Sequence, residues 1–122
     1  MSTEPKRRWR DYRTSAGRRP VKEFIDSLSD VDAAAVVASM KDVRETGFLA
    51  ARHLRGAIYE VRADGERQTF RILFAPEGKR SQVLLALDGF SKKTQRTPPA
   101  KIALAQRRLA DWRRRGERQS HG

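Results

Sequence analysis

Two stretches in the middle of the chain alternate polar and apolar side chains with a period of two, and this pattern constrains the fold more than any other. They are IYEVRAD at residues 58–64 and QTFRILFA at residues 68–75, joined across an Asp64-Gly65 turn signal. A period of two is typical of a β-strand with one buried face, so both stretches are predicted to be antiparallel strands. Their register is restricted, because a slip of one residue would move every apolar side chain to the opposite face.

The alternation assigns apolar side chains to one face of the strand pair and charged side chains to the other. Registers that keep the apolar face whole place Val61 beside Phe70 and Ile72. Each of these registers also places Arg62 and Arg71 together on the opposite face. We expect that second face to be open to solvent, so the two arginines are predicted to form part of a basic surface.

A third stretch, VLLALDGF at residues 83–90, is apolar almost throughout, which is typical of a strand covered on both faces in the middle of a sheet. It is followed directly by SKKT at residues 91–94. If this strand end lies beside the arginine face, two lysines join two arginines in a cluster of four cations, with Glu60 as one acid in reach. Each cation alone fits a solvated surface charge, but their convergence favours a functional site.

Helical patterns precede these strands in the sequence. Residues 21–28 follow the i, i+3, i+4, i+7 spacing of a helix with one apolar face, and Pro20 suits its first turn. A second helix is predicted from a cap at Ser29 or Asp30 to a stop at Gly47. The two helices together are expected to pack as a hairpin against the sheet.

A third helix is predicted after the strands, from a start at Thr97, which two prolines follow, to an end before Gly116. A short strand at residues 8–13 and an irregular connector at residues 48–53 complete the order β-α-α-β-β-β-α. The predicted fold class is α+β, with a small antiparallel-rich sheet packed against an N-terminal helical hairpin and a C-terminal helix.

One domain is expected to contain the whole chain of 122 residues. Its ends, residues 1–8 and 117–122, are expected to be flexible. Its core is predicted from the apolar patterns to contain Val21, Phe24, Leu28, Val61, Phe70, Ile72, Leu85, Leu109 and Trp112.

Charge and composition exclude several classes of protein. The net charge is +12, and its excess lies at the two ends: the first 19 residues carry seven basic and two acidic side chains, and residues 92–122 carry ten and two. This distribution favours a polyanion or an acidic protein as partner. The absence of cysteine excludes disulfides and thiolate chemistry, and no apolar run reaches the roughly 20 residues that span a bilayer. We therefore expect a cytoplasmic protein without a membrane partner.

The residues available for chemistry favour a mechanism without a metal ion or other cofactor. The histidines, His53 and His121, are poor candidates for a general base, and the strand acids form no evident metal-binding set. Cations can still promote RNA cleavage, because RNA carries its own nucleophile in the 2′-hydroxyl group and cations oppose the charge that develops on the phosphate. A lysine crowded by other cations loses its proton more readily, which makes Lys92 or Lys93 the candidate base.

Three segments share their pattern with a known group of proteins: LRG-x-IYEVR, the following FRILF and, most specifically, LLALDGFSKKTQRTP before a basic helix. The pattern extends over about residues 9–115 and resembles the RelE/ParE toxin superfamily, specifically its HigB-like, phage-derived branch. The resemblance implies a RelE-like fold and a type II toxin neutralised by a small antitoxin, expected to be a helix-turn-helix protein. It also implies cleavage of mRNA in the ribosomal A site, with the ribosome and mRNA as partners.

Within that resemblance, basic residues on the strands correspond to positions that hold and cleave RNA. Arg62, Arg71 and Lys93 match basic positions of ribosome-dependent members, and Lys92 lies beside them. These four residues are the predicted catalytic group. Further RNA contacts are expected from Arg55, Thr94, Arg96 and Lys101.

The sequence departs from the family pattern at two positions. Glu60 stands where the best-studied members have a lysine, and the position of their C-terminal catalytic tyrosine falls near Pro98 and Pro99. Two alternatives therefore stay open: a ParE-like inhibitor of DNA gyrase that performs no chemistry, and a nucleic-acid-binding relative that is not toxic. Asp88, the acid nearest the turn, is expected to have a structural role at the strand end rather than to orient a lysine.

Overall fold

A computed structural model of the protein describes residues 6–92 and 96–121, with the backbone alone for Lys92 and residues 117–121. Five strands and three helices make up this part of the chain. The strands are β1 (Arg8–Asp11), β2 (Arg52–Arg55), β3 (Ile58–Asp64), β4 (Thr69–Glu77) and β5 (Val83–Lys92). The helices are α1 (Pro20–Asp26), α2 (Asp30–Thr46) and α3 (Pro99–His121), and short 3-10 turns lie at Phe48–Ala50 and Lys79–Ser81.

The strands form one mixed sheet in the order β1-β5-β4-β3-β2. β1 runs parallel to β5, and the other neighbours are antiparallel. The predicted pairing of β3 with β4 is confirmed, since Val61 lies opposite Ile72 and Arg62 lies opposite Arg71. The predicted third strand, β5, is interior, because β1 and β4 flank it and residues 84–87 are fully buried. The α+β class is therefore confirmed.

A strand that the sequence analysis does not predict, β2, forms one edge of the sheet. The expected irregular connector at residues 48–53 is wrong at its end, because β2 begins at Arg52 and pairs antiparallel with β3. Gly56, with a φ of +54°, lies in the tight turn between the two strands, where glycine is favoured. Arg52 lies opposite Glu60, so the two side chains share one face of the sheet.

Helices cover both faces of the sheet. α1 and α2 pack on the apolar face of β3 and β4, and α3 packs on the other face. Each face contributes its own buried cluster. Of the predicted core, six side chains are buried and three are partly buried at the edge of a cluster: Val21, Val61, Phe70, Ile72, Leu85 and Leu109, and then Phe24, Leu28 and Trp112.

The second face of the sheet is not open, because α3 crosses it. Leu73 of β4 lies in one buried cluster with Ala105 and Leu109 of α3. Arg71 lies on the same face and has no exposed surface, whereas Arg62 on the neighbouring strand is exposed. The expectation of an open basic surface is therefore wrong for Arg71. Alternation shows which side chains share a face, but it does not show that a helix covers that face.

A β-bulge in β5 anchors α3. The register between β4 and β5 shifts next to Asp88, which leaves Leu87 as an extra residue. Nη1 of Arg108 donates to the Leu87 carbonyl over 2.7 Å and lies 3.3 Å from the Asp88 carboxylate. Nζ of Lys101 lies 3.5 Å from the same carboxylate. Asp88 thus has the expected structural role, and it holds two cations of α3.

The helix starts follow the predicted local signals. Pro20 is the first residue of α1, where its missing amide hydrogen costs nothing. The Ser29 hydroxyl caps α2 by accepting a hydrogen bond from the Asp32 amide over 3.2 Å. Gly47 ends α2 with a φ of +87°, a conformation that other residues rarely adopt.

The chain ends are more regular than expected. α3 continues through Gly116 to His121, so the predicted end before Gly116 is wrong. The flexibility expected from residue 117 to residue 121 stays a prediction. At the other end β1 already begins at Arg8. Residues 1–5 and residue 122, for which flexibility is also predicted, lie outside the described residues. Among the described helices, none combines the length and the apolar character needed to cross a bilayer.

Candidate functional site

Three polar side chains, Glu60, Arg71 and Thr97, are buried together beneath the start of α3, each at most 7% exposed. Nη1 of Arg71 donates to Oγ1 of Thr97 over 3.0 Å, and the Thr97 hydroxyl donates to Oε1 of Glu60 over 2.6 Å. Nε of Arg71 lies 3.4 Å from the same carboxylate oxygen. Buried charges persist only with such partners. The contacts tie β3 and β4 to the residue that leads into α3.

The electrostatic surroundings of this network are positive. Burial lowers the pKa of the Arg71 guanidinium, and the Glu60 carboxylate opposes that shift. Arg62 and Arg52 lie close enough for their charges to lower the pKa of Arg71 as well. Three cations and one anion therefore meet at this point, which favours the approach of a phosphate group.

A groove of about 420 Å³ lies between β2 and the start of α3, with Thr97 of the buried network in its wall. We call it the arginine groove, and the described residues that line it are Arg52, Leu54, Arg55, Arg96, Thr97, Pro99 and Ile102. None of these residues is acidic. Guanidinium groups bind phosphate oxygens through paired hydrogen bonds, and the aliphatic residues offer a surface to a ribose or a base. The groove therefore suits a phosphodiester chain.

The guanidinium groups in this groove are available to a ligand. Arg52, Arg55 and Arg96 are all exposed. Within the described part of the chain, no ion pair involves any of the three. A ligand phosphate would therefore not have to displace a carboxylate of the protein.

A second basic groove, of about 820 Å³, lies at the opposite edge of the sheet between β1 and α3. Here two of the four arginines that line the groove have carboxylate partners in the protein. Arg19 pairs with Asp11 at 2.6 Å, and Arg115 pairs with Asp111 at 2.8 Å. Local neutralisation weakens the attraction for a further anion, so the arginine groove is the better candidate site.

The predicted RNA-binding residues divide into two groups. Arg55 and Arg96 line the arginine groove. Lys101 does not, because its Nζ lies 3.5 Å from the Asp88 carboxylate and 5.2 Å from the centre of the Phe90 ring. Thr94 lies outside the described residues.

The predicted catalytic residues are only partly brought together. Arg62 and Arg71 lie opposite each other, and only Arg62 is exposed. The backbone of Lys92 pairs with Thr69 at the end of β5. Lys93 lies outside the described residues. Arg62 and the end of β5 therefore reach the same end of the sheet, while Arg71 lies beneath α3.

Sequence reasoning missed two residues of this site, Arg52 and Thr97. A partial signal for Arg52 exists, because a glycine at position 56, just before the alternating stretch of β3, is typical of a hairpin turn, and such a turn would place Arg52 beside Glu60. Thr97 carries no comparable signal. Its sequence context is that of a helix start, and its two hydrogen-bond partners lie 26 and 37 residues away along the chain.

The described residues contain no group of three histidines, cysteines or carboxylates placed to hold a metal ion. His53 is exposed on β2, and its Nε2 atom lies 2.7 Å from the Gly56 carbonyl. That local contact gives the ring a structural partner at the turn. A mechanism without a metal ion stays a prediction.

The fold and the groove define a small α+β protein with a cation-lined surface suited to phosphodiesters. A model of the family described as phage-derived protein Gp49-like matches residues 23–110. Two proteins named probable endoribonuclease HigB1, from the CDC 1551 and H37Rv strains of Mycobacterium tuberculosis, are each 38% identical over 110 residues, covering 87% of this chain and 85% of the relative. The chain therefore belongs to the Gp49-like family, and its resemblance to HigB-like toxins is confirmed.

Proposed function

We propose that this protein is the toxin of a type II toxin-antitoxin system, an endoribonuclease of RelE-like fold that cleaves mRNA on the ribosome without a metal ion. The arginine groove carries the proposal, because its three exposed arginines have no acidic neighbour among the described lining residues. The name of the two relatives, probable endoribonuclease, supports the same reaction class. The toxin acts in the cytoplasm, where it meets ribosomes, and inhibits translation.

The proposed reaction uses the nucleophile of the substrate. The 2′-oxygen attacks the adjacent phosphorus, the bond from phosphorus to the 5′-oxygen breaks, and the products are a cyclic 2′,3′-phosphate and a 5′-hydroxyl group. Cations fixed around this phosphate oppose the negative charge that grows in the transition state. Such a mechanism needs orientation and positive charge from the protein, one base to take the 2′-proton, and a proton from solvent water for the leaving 5′-oxygen.

We assign these roles to groups on both sides of the first turn of α3. Arg52, Arg55 and Arg96 hold the RNA backbone in the arginine groove. Arg62 opposes the charge on the scissile phosphate. Lys92 or Lys93 takes the 2′-proton, because cationic neighbours lower the pKa of a lysine. Glu60 is not the base in this scheme, since it is buried and already accepts a hydrogen bond from the Thr97 hydroxyl group.

The proposed protein partner is a small helix-turn-helix antitoxin. With a net charge of +12 the toxin favours a partner with an acidic or amphipathic segment. Such a segment would cover the basic surface around Arg62 and the groove, or block entry to the ribosome from the helical side. Its affinity should fall as salt rises from low to physiological concentration.

Cleavage of mRNA on programmed ribosomes tests the proposal. Wild-type protein should cut ribosome-bound mRNA, and Arg55→Ala or Arg96→Ala should slow the reaction on the order of 100-fold, because an RNA backbone that is no longer held in place loses the geometry for attack. Lys79→Ala removes an exposed cation of the 3-10 turn that does not line the groove, and this variant should cut at the wild-type rate.

Three results would contradict parts of the proposal. Equal cleavage of free mRNA would remove the ribosome requirement. Loss of cleavage after the toxin alone is stripped with chelator, and then mixed with intact ribosomes, would show a metal requirement. Gyrase-dependent DNA damage without RNA cleavage would instead support the ParE-like alternative.

A further inference from the structure

We propose that Glu60, Arg71 and Thr97 form a positioning network that holds Arg96 in the geometry needed for RNA cleavage. The inference rests on the proposed endoribonuclease function and deepens it. It gives Arg71 a role that does not require contact with RNA, because the Arg71 side chain has no exposed surface.

A buried ion pair adds little net free energy to the stability of a fold. Removing Glu60 and Arg71 from water costs free energy that their mutual attraction offsets only in part, so apolar side chains of similar size would fill the space at least as well. Stability alone therefore gives a weak reason for this pair. A fixed position for the groups it contacts gives a stronger one.

The hydroxyl group of Thr97 is held by two hydrogen bonds. It accepts a hydrogen bond from Nη1 of Arg71 over 3.0 Å and donates one to Oε1 of Glu60 over 2.6 Å. A hydroxyl group has one hydrogen to donate, and here it is directed at a carboxylate while an oxygen lone pair receives a guanidinium group. Both hydrogen-bond partners lie on strands of the sheet, so the sheet fixes the rotamer of Thr97 and the position of its backbone.

Thr97 directly follows Arg96 in the sequence, and both residues line the arginine groove. Pro98 and Pro99 follow, and proline fixes its own φ and restricts the residue before it to extended conformations. Little torsional freedom remains between Thr97 and the first turn of α3. The network therefore sets where the Arg96 guanidinium emerges.

A double-mutant cycle tests this coupling on programmed ribosomes. At saturating ribosome concentration, Thr97→Val should slow cleavage about tenfold, because it keeps the shape of threonine but loses both hydrogen bonds and misplaces Arg96. Thr97→Ser retains the hydroxyl group and should restore most of the rate. In an Arg96→Ala background, Thr97→Val should add almost nothing, because the residue through which it acts is gone.

A matched control and a second variant complete the design. Thr46→Val, an exposed site at the end of α2, should leave the rate unchanged. Thr97→Ala repeats the cycle if Thr97→Val does not fold by circular dichroism. Wild-type cleavage by Thr97→Val or Thr97→Ala, or losses that multiply with Arg96→Ala, would overturn the network. An inactive wild-type protein would instead overturn the proposed function.

Discussion

Arg62 and Arg71 lie opposite each other in the sheet, yet their surroundings give their substitutions different consequences. Arg71 is fully buried beside Glu60, whereas Arg62 is exposed. Arg71→Ala should lower the free energy of unfolding by about 3–5 kcal/mol, because Glu60 is left in the interior without its cation. Arg62→Ala should change it by about 0.5 kcal/mol or less. Urea unfolding of the two variants measures the difference. If Arg71→Ala lowered the free energy of unfolding as little as Arg62→Ala, the buried pair would not be needed for stability.

The large loss of stability expected for Arg71→Ala differs from what the sequence alone suggests. As a member of an open basic surface, Arg71 would be replaceable with little loss of stability. Its burial means that loss of activity in Arg71→Ala cannot by itself identify a catalytic residue. Thr97→Val tests the same network with a smaller change in the core.

Asp111 gives the protein a pH-dependent contribution to stability. It accepts a hydrogen bond from the Tyr12 hydroxyl over 2.6 Å, and this bond lowers the pKa of Asp111 from its ordinary value of 3.8. Burial opposes the shift, and the charges of Arg115 and Arg114 add to it. Because the pKa is lower in the folded state, the stabilisation is complete above the ordinary value and is lost as the pH falls through the folded value.

Asp111→Asn should therefore lower the melting temperature at neutral pH, and the deficit should shrink below about pH 4 as the wild-type carboxylate becomes protonated. Thermal unfolding of both proteins between neutral and acidic pH measures this difference. A deficit that stayed constant over the whole range would mean that the Asp111 charge is not responsible.

At the scale of elements, two glycines differ in the space that surrounds them. A Cβ atom at Gly89 in β5 would lie 2.5 Å from a ring carbon of Phe24 and 3.0 Å from Cδ1 of Ile72. Gly89→Ala should thus cost about 1–3 kcal/mol by overpacking. Gly116 has open space around it in α3, so Gly116→Ala should stabilise the helix by about 0.5–1 kcal/mol. Chemical denaturation should show opposite signs for the two variants, and a Gly89→Ala variant as stable as the wild type would contradict the packing of α1 on β5.

Sequence reasoning predicts the elements whose patterns repeat and misses those that depend on contacts across the fold. The alternation in β3 and β4 is long enough to restrict the register to pairings that put Arg62 and Arg71 on one face, and the structure places the two residues opposite each other. β2 has four residues, too few for a clear period, so Arg52 is missed. The pattern also cannot show that α3 covers a face with charged side chains. Two groove residues, Arg55 and Arg96, are predicted, but their convergence with Arg52 appears only in three dimensions.

At the scale of the whole molecule, arginine side chains line a groove at each edge of the sheet. β1 is one edge and β2 is the other, separated by four strand spacings or roughly 19 Å. At the β1 edge, acidic side chains neutralise Arg19 and Arg115. At the β2 edge, the exposed arginines have no ion pair within the described residues. We therefore expect net charge to attract a polyanion to the molecule and local pairing to decide which edge binds it.

The salt dependence of RNA binding should report this asymmetry. An RNA with 2′-O-methyl riboses cannot be cleaved, because its nucleophile is blocked, so its affinity can be measured by fluorescence anisotropy. If Arg52, Arg55 and Arg96 each neutralise one phosphate, log K should fall with log salt with a slope of about −2 from these contacts, and each alanine variant should reduce its magnitude by about 0.7. Arg10→Ala at the β1 edge is the matched control and should leave the slope unchanged. A slope that responds to Arg10→Ala as strongly as to the groove variants would place the RNA at the wrong edge for the proposed site.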